Sequence, residues 1–276
     1  MVKLAFWDTV NGAYRFVFAH PLTVLRTGWL YLLLNTLDFA VRKAAPSDAR
    51  LTATAFAVAV LLIGASIAWH VAFVRAILLN ERSWTAALQF RHRHWRLLGA
   101  GIVLFLMLVP VIAIAAVAGF AAVHVGGPVA VAIFGVVAVV AIVVLIAAAS
   151  RLYLLGPAIA TDDPAKAIRA AWRRGRGNTL RLLFGSVLMV LPAVIVGAIV
   201  GGALGLLLFF VTQGAISAEA WVAQLSLAGR IALGVGQGIF QLVIGALGAT
   251  FYAFAYRQLA VNWNPPPALA AAALDT

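Results

Sequence analysis

Long apolar runs alternate with short arginine-rich connectors along most of this chain. Crossing about 30 Å of hydrocarbon takes roughly 20 apolar residues at helical rise. Runs at 22–40, 52–78, 97–123, 128–156, 180–212 and 229–258 are candidate spans. The first is the weakest, because Arg26, Asn35 and Asp38 leave only Gly28 to Leu34 free of strongly polar side chains. The runs are continuous, whereas a membrane strand alternates apolar and polar positions, so a lipid-facing barrel is disfavoured. Helices satisfy their own backbone groups in lipid. The expected fold is therefore an all-α integral membrane protein with six transmembrane helices, residues 1–262 forming one membrane domain. Residues 263–276 carry three prolines and little to bury, and are expected to form a flexible tail.

Composition strengthens this picture. Apolar residues make up 64% of the chain and charged residues 10%, against about 25% charged in soluble domains. With no cysteine, disulfides, thiolate metal sites and cysteine nucleophiles are excluded. Asp8, Asn11 and Arg15 interrupt the N-terminal segment where a signal peptide needs an unbroken apolar core, so no cleavage is expected. Placing both termini inside puts all but Arg42, Lys43, Arg50 and Arg230 of the twenty Lys and Arg residues on the cytoplasmic side, which predicts an N-in/C-in topology. The net charge of +12 then points to a bilayer with anionic headgroups as partner rather than to nucleic acid.

The basic connectors repeat. AYRFVFAHPLTVLRTG, ALQFRHRHWRLLG and AAWRRGRGNTLRLLFG each hold an aromatic (Phe16, Phe90, Trp172), an Arg at the span mouth (Arg26, Arg96, Arg181) and a glycine within four residues (Gly28, Gly99, Gly185). Each precedes two spans, so the expected layout is three parallel arm-plus-hairpin repeats at about 2–80, 83–156 and 163–258. The competing reading is that any cytoplasmic span entrance collects Arg and Trp. Each arm fits an amphipathic interfacial helix. In the first, Leu4, Trp7, Val10, Tyr14, Val17 and Phe18 recur at three or four residues, while Lys3, Asp8, Asn11 and Arg15 avoid that stripe. In the third, Asp163 is placed to cap and Pro164 to occupy the first helical position.

The segment RLYLLGPAIATDDPAKAIRAAWRRGRGNTLRLLFG carries Arg151 at a span end, Pro157, an acidic turn at Asp162 and Asp163, Trp172, and Gly177-Asn178 leading into Arg181-Leu182-Leu183. With AYRFVFAHPLTVLRTGWL at the N-terminus, it resembles a poorly characterised bacterial family of six-span inner-membrane proteins. That family is similar to the membrane domain attached to some glycerophosphodiester phosphodiesterases. The resemblance implies a multi-pass plasma-membrane protein with lipid or envelope association. Phosphodiesterase activity does not carry over, because this chain lacks room for a catalytic barrel and an acidic cluster to bind the metal.

Other chemistry is thin. His92 and His94 point about 200° apart on a helix, too far for one metal. GVGQG at Gly234 to Gly238 lies inside an apolar run without a preceding strand or a following basic residue. No nucleophile has its activating partners, so neither enzyme activity nor a cofactor is expected. Arg91, Arg93, Arg96, Arg173, Arg174, Arg176 and Arg181 are the candidate headgroup-interface residues. Polar and small positions within the spans are candidates for helix packing or for a path: His70, the ridge Gly197, Gly201 and Gly205, and the stripe holding Gly234, Gln237, Gly238 and Gln241. Two functional classes stay open. A non-enzymatic scaffold or lipid-associated accessory protein, with a membrane-protein partner or as a homo-oligomer, ranks first. A small-molecule or lipid transporter or channel using the sixth-span stripe is the alternative.

Overall fold

A computed structural model describes residues 3–42, 49–81, 83–85, 88–125, 128–162, 167–212, 222 and 224–260. Among these residues the long elements are all helices: α1 (Phe6–Ala19), α2 (Pro21–Arg42), α3 (Ala49–Leu78), α4 (His92–Val125), α5 (Pro128–Leu152), α6 (Leu155–Ala160), α7 (Ala167–Gly175), α8 (Thr179–Thr212) and α9 (Leu227–Leu259). Four described stretches are long and apolar enough to cross a membrane: Ala53–Leu78, Phe134–Ala160, Thr179–Ala203 and Leu227–Leu259. The pair α1 and α2, bent by 77°, makes a fifth if it counts as one span.

The bend has a local cause. Pro21 opens α2 at the position where a missing N–H costs nothing, and the residue before a proline is pushed out of helical geometry. His20 accordingly sits at φ −125° and ψ 53°. Pro110 and Pro192, by contrast, lie within helices that continue past them. Large apolar side chains such as Phe56, Phe105, Ile142 and Phe184 are exposed along the helices. Of the apolar windows in Phe134–Ala160 and Thr179–Ala203, only 6% and 11% are buried within the chain. Soluble monomers rarely carry continuous apolar surface on that scale, whereas lipid covers it without cost.

The packed core lies at the arginine-rich end, where Leu4, Phe73, Leu154, Leu182, Phe251 and Tyr256 are almost wholly buried. Glycines make the close approaches. A Cβ on Gly185 of α8 would lie 2.0 Å from Phe251 Cζ of α9, one on Gly28 of α2 2.4 Å from Leu242 Cδ1, and one on Gly245 2.5 Å from Trp69 Cη2. The polar positions of α2 have partners: Thr27 and Thr36 bond carbonyls of their own helix, and Asn35 donates to Gln241 Oε1 at 2.8 Å.

The arms differ from one another. The first is the separate helix α1, which buries Thr9, Val10, Ala13 and Val17 against its neighbours and leaves Trp7 and Phe18 exposed. Ala13 therefore replaces those two aromatics in the packed stripe. The third includes α7, whereas the RHRHWR segment of the second runs directly into α4. Gly28 and Gly185 receive side chains of α9, but a Cβ on Gly99 meets nothing within 4 Å. The Asp163 cap, Pro164 and the 263–276 tail lie outside the described residues.

Candidate functional site

At the arginine-rich end, the residues of the Arg151 to Arg181 motif converge on the N-terminus. Asn178, 2% exposed, accepts the Leu4 N–H at 2.9 Å through Oδ1, and Arg181 donates to the Leu4 carbonyl at 2.6 Å. Arg151 lies over the Trp172 ring at 4.7 Å and donates to Thr179 Oγ1. Arg174 lies over Tyr256 at 5.0 Å. Arg151, Arg174 and Arg181 thus have protein partners, while Arg173 and Arg176 project outward and Arg96 is half-buried. Gly177, at φ 80°, supplies the left-handed turn between α7 and α8.

A second polar group forms where α3, α4 and α6 meet. Arg75 grips Glu81 through Nε (2.7 Å) and Nη2, and its Nη1 donates to the Ala160 carbonyl at 2.7 Å. Asp162, in left-handed geometry at the end of α6, lies 3.3 Å from Arg93 and 3.7 Å from Arg75. Asp162 therefore serves as an ion-pair partner for arginines. His94 is 2% exposed. Its Nδ1 lies 2.8 Å from the Arg91 backbone N and 3.1 Å from the Arg91 carbonyl oxygen, so it accepts from the first in one tautomer and donates to the second in the other, and Nε2 is buried without a hydrogen-bond partner. Burial, then the nearby arginines, hold the imidazole below its ordinary pKa, against a backbone hydrogen bond at Arg91 that raises it. Arg93 is lowered first by burial and then by Arg75, an effect opposed by Asp162. A cavity of about 230 Å³ lies among Arg75, Glu81, Gln89, Arg91, Arg93 and His94.

Two larger apolar clefts adjoin Trp69, His70 and Tyr153. One, of about 760 Å³, runs between α3 and α4 past Ile63, Ile67, Leu98 and Phe105. The other, of about 670 Å³, lies among α3, α5, α8 and α9 and is lined by Val187, Leu191 and Ile244. His70 lies opposite Gly156, where a Cβ would sit 2.8 Å from its Nε2. Trp69 Nε1 and the Tyr252 hydroxyl are buried without a hydrogen-bond partner, and both residues line the second cleft.

The polar, small-residue stripe on α9 divides. Gln241 accepts from Tyr31 (2.9 Å) and Asn35. A Cβ on Gly234 would meet the Thr36 backbone at 3.2 Å, and one on Gly238 Leu32 at 2.6 Å. Gln237 instead faces outward. On the α8 ridge, a Cβ on Gly197 approaches Phe240 at 3.1 Å while one on Gly201 meets nothing within 4 Å; Gly205's surroundings lie outside the description. Tyr252 belongs to the same three-or-four-residue stripe as Gln241, whereas nothing in the sequence marks Tyr153 as its neighbour, because an aromatic inside an apolar run has no periodic signature of its own. Comparison with protein-family models, curated proteins and solved structures finds no match to this chain.

Proposed function

We propose that this chain is a non-enzymatic, six-span protein of the bacterial inner membrane, N-in/C-in, acting as a lipid-associated scaffold or accessory protein. The six spans are α2, α3, α4, α5, α8 and α9, with α1 and α7 as arms at the cytoplasmic face. The observation that carries the reading is the pair of apolar clefts meeting at Trp69, His70 and Tyr153. Cavities of this size and lining suit long apolar ligands held by a few polar groups. In a protein whose flanks face hydrocarbon, acyl chains are the ligands at hand. Transport through the sixth-span stripe has less support, because Gln241, Gly234 and Gly238 are taken up in contacts with α2.

Lipid extraction from the detergent-purified protein tests this. Gly248 lines the second cleft and a Cβ there meets nothing within 4 Å, so Gly248→Leu fills the space with little disturbance. Wild type should retain phospholipid through extensive washing and the variant measurably less. Equal, background-level lipid in both would remove the lipid-associated reading.

A further inference from the structure

The small polar cavity and the larger cleft share no lining residue but follow one another along the same faces of α3 and α4, and together they outline one groove. On α3, Arg75, Val71, Ile67 and Ile63 follow at intervals of four residues, and all four line one cavity or the other. On α4, His94, Leu98, Gly101 and Phe105 do the same at intervals of three or four. Such spacing keeps residues on one helix face. The groove therefore changes from cationic to apolar along its length. From Arg75 to Ile63 it runs about 18 Å at helical rise, close to the roughly 15 Å of one hydrocarbon leaflet.

We propose that this groove binds one anionic phospholipid, its phosphate held by Arg91, Arg93 and the Nε2–H of His94 and one acyl chain lying along Ile67, Gly101 and Phe105. The inference rests on the lipid-associated reading above and deepens it to a headgroup class and a place. His94 supplies the independent sign of a ligand, because a ring nitrogen this deeply buried without a hydrogen-bond partner is costly unless something occupies the space before it; an anion there selects the tautomer that carries the proton on Nε2. Charge selects the class. Glu81 and the Ala160 carbonyl engage all three nitrogens of Arg75, so Arg75 shapes the wall. Arg93 spends one nitrogen on Asp162 and Arg91 one on Gln89, which leaves guanidinium donors on both for a phosphate. The two carboxylates oppose an anion only partly, since each already faces Arg75.

The full chain in dodecyl maltoside is titrated with phosphatidylglycerol, with phosphatidylcholine of the same chains, and with glycerol 3-phosphate, and binding is read by native mass spectrometry and thermal shift. Phosphatidylglycerol should bind and stabilise most, phosphatidylcholine weakly, and glycerol 3-phosphate not at all. Arg91→Gln removes one cation near the surface and should weaken phosphatidylglycerol about fivefold, and phosphatidylcholine, which carries the same phosphate beside a choline cation, in the same direction. His94→Asn keeps an acceptor for the Arg91 N–H, withdraws the Nε2 donor, and should act in the same direction. Gly101→Phe fills open groove, since a Cβ there meets nothing within 4 Å, and should abolish binding of both lipids at this site. Equal binding of the two lipids, unaffected by Arg91→Gln and His94→Asn but lost with Gly101→Phe, would overturn the headgroup site and leave lipid association standing. Glycerol 3-phosphate acting as well as the whole lipid would overturn it as a free-anion site, and no effect of any lipid would sink both readings. Should Gly101→Phe not fold, the two polar variants decide alone.

Discussion

Gln237 and Gln241 stand one turn apart on α9 and look alike in the sequence, yet their surroundings make them opposites. Gln241 accepts from both Tyr31 and Asn35, so Gln241→Leu orphans two donors within a membrane helix pair. Such bonds average about 0.6 kcal/mol and reach about 1.7, which places the loss at about 1–3 kcal/mol. Gln237 faces outward, and Leu there suits lipid, so Gln237→Leu should change stability by less than about 0.5 kcal/mol. Thermal unfolding in detergent separates the two. Equal losses would mean that the stripe is not a packing seam. A stable Gln237→Leu variant that lost a cellular phenotype would favour the transport reading. Small-residue spacing made the stripe legible, but which glutamine meets α2 depends on helix rotation, which apolar periodicity in a nearly all-apolar helix does not specify.

Among elements, α1 is held to the end of the bundle by polar bonds as well as by its apolar face. Asn178 and Arg181 clamp the Leu4 backbone, Tyr14 donates to the Leu188 carbonyl at 2.7 Å, and Gln258 accepts the Ala5 N–H at 3.0 Å and donates to Thr9. Asn178→Ala leaves a buried N–H unsatisfied, a cost of about 1–3 kcal/mol, and should fall on α1 before anything else. Hydrogen exchange should accelerate across 6–19 while the middle of α9 stays protected. Unchanged exchange in α1 would mean that burial and the remaining bonds hold this arm without the clamp. The amphipathic stripe announced the helix, and the Asn178 and Arg181 motif was visible as a pattern. That the two meet was not, because 174 residues separate Leu4 from Asn178 and no local rule connects them.

For the whole molecule, hydrocarbon thickness is a stringent ruler, so runs read at 52–78 and 180–212 reappear as helices Ala49–Leu78 and Thr179–Thr212. The clefts had no such ruler: they arise where helix faces fail to meet, a matter of shape across several helices. Charge adds the remaining constraint. Asp162 beyond α6 bridges Arg75 at the end of α3 and Arg93 at the start of α4, and Arg151, Arg174 and Arg181 each have partners near the ends of α5, α7 and α8. Turning this end outward would place most of the chain's cations on the translocated side, contrary to the positive-inside bias. Single cysteines introduced into this cysteine-free chain should therefore react with an impermeant reagent from outside at 42–50, 124–127 and 214–225. Cysteines within 82–96 or 162–177, or after Asn262, should react only once the membrane is opened. Outside labelling in 162–177 would reverse the orientation and remove the cytoplasmic leaflet as the source of lipid for the groove between α3 and α4.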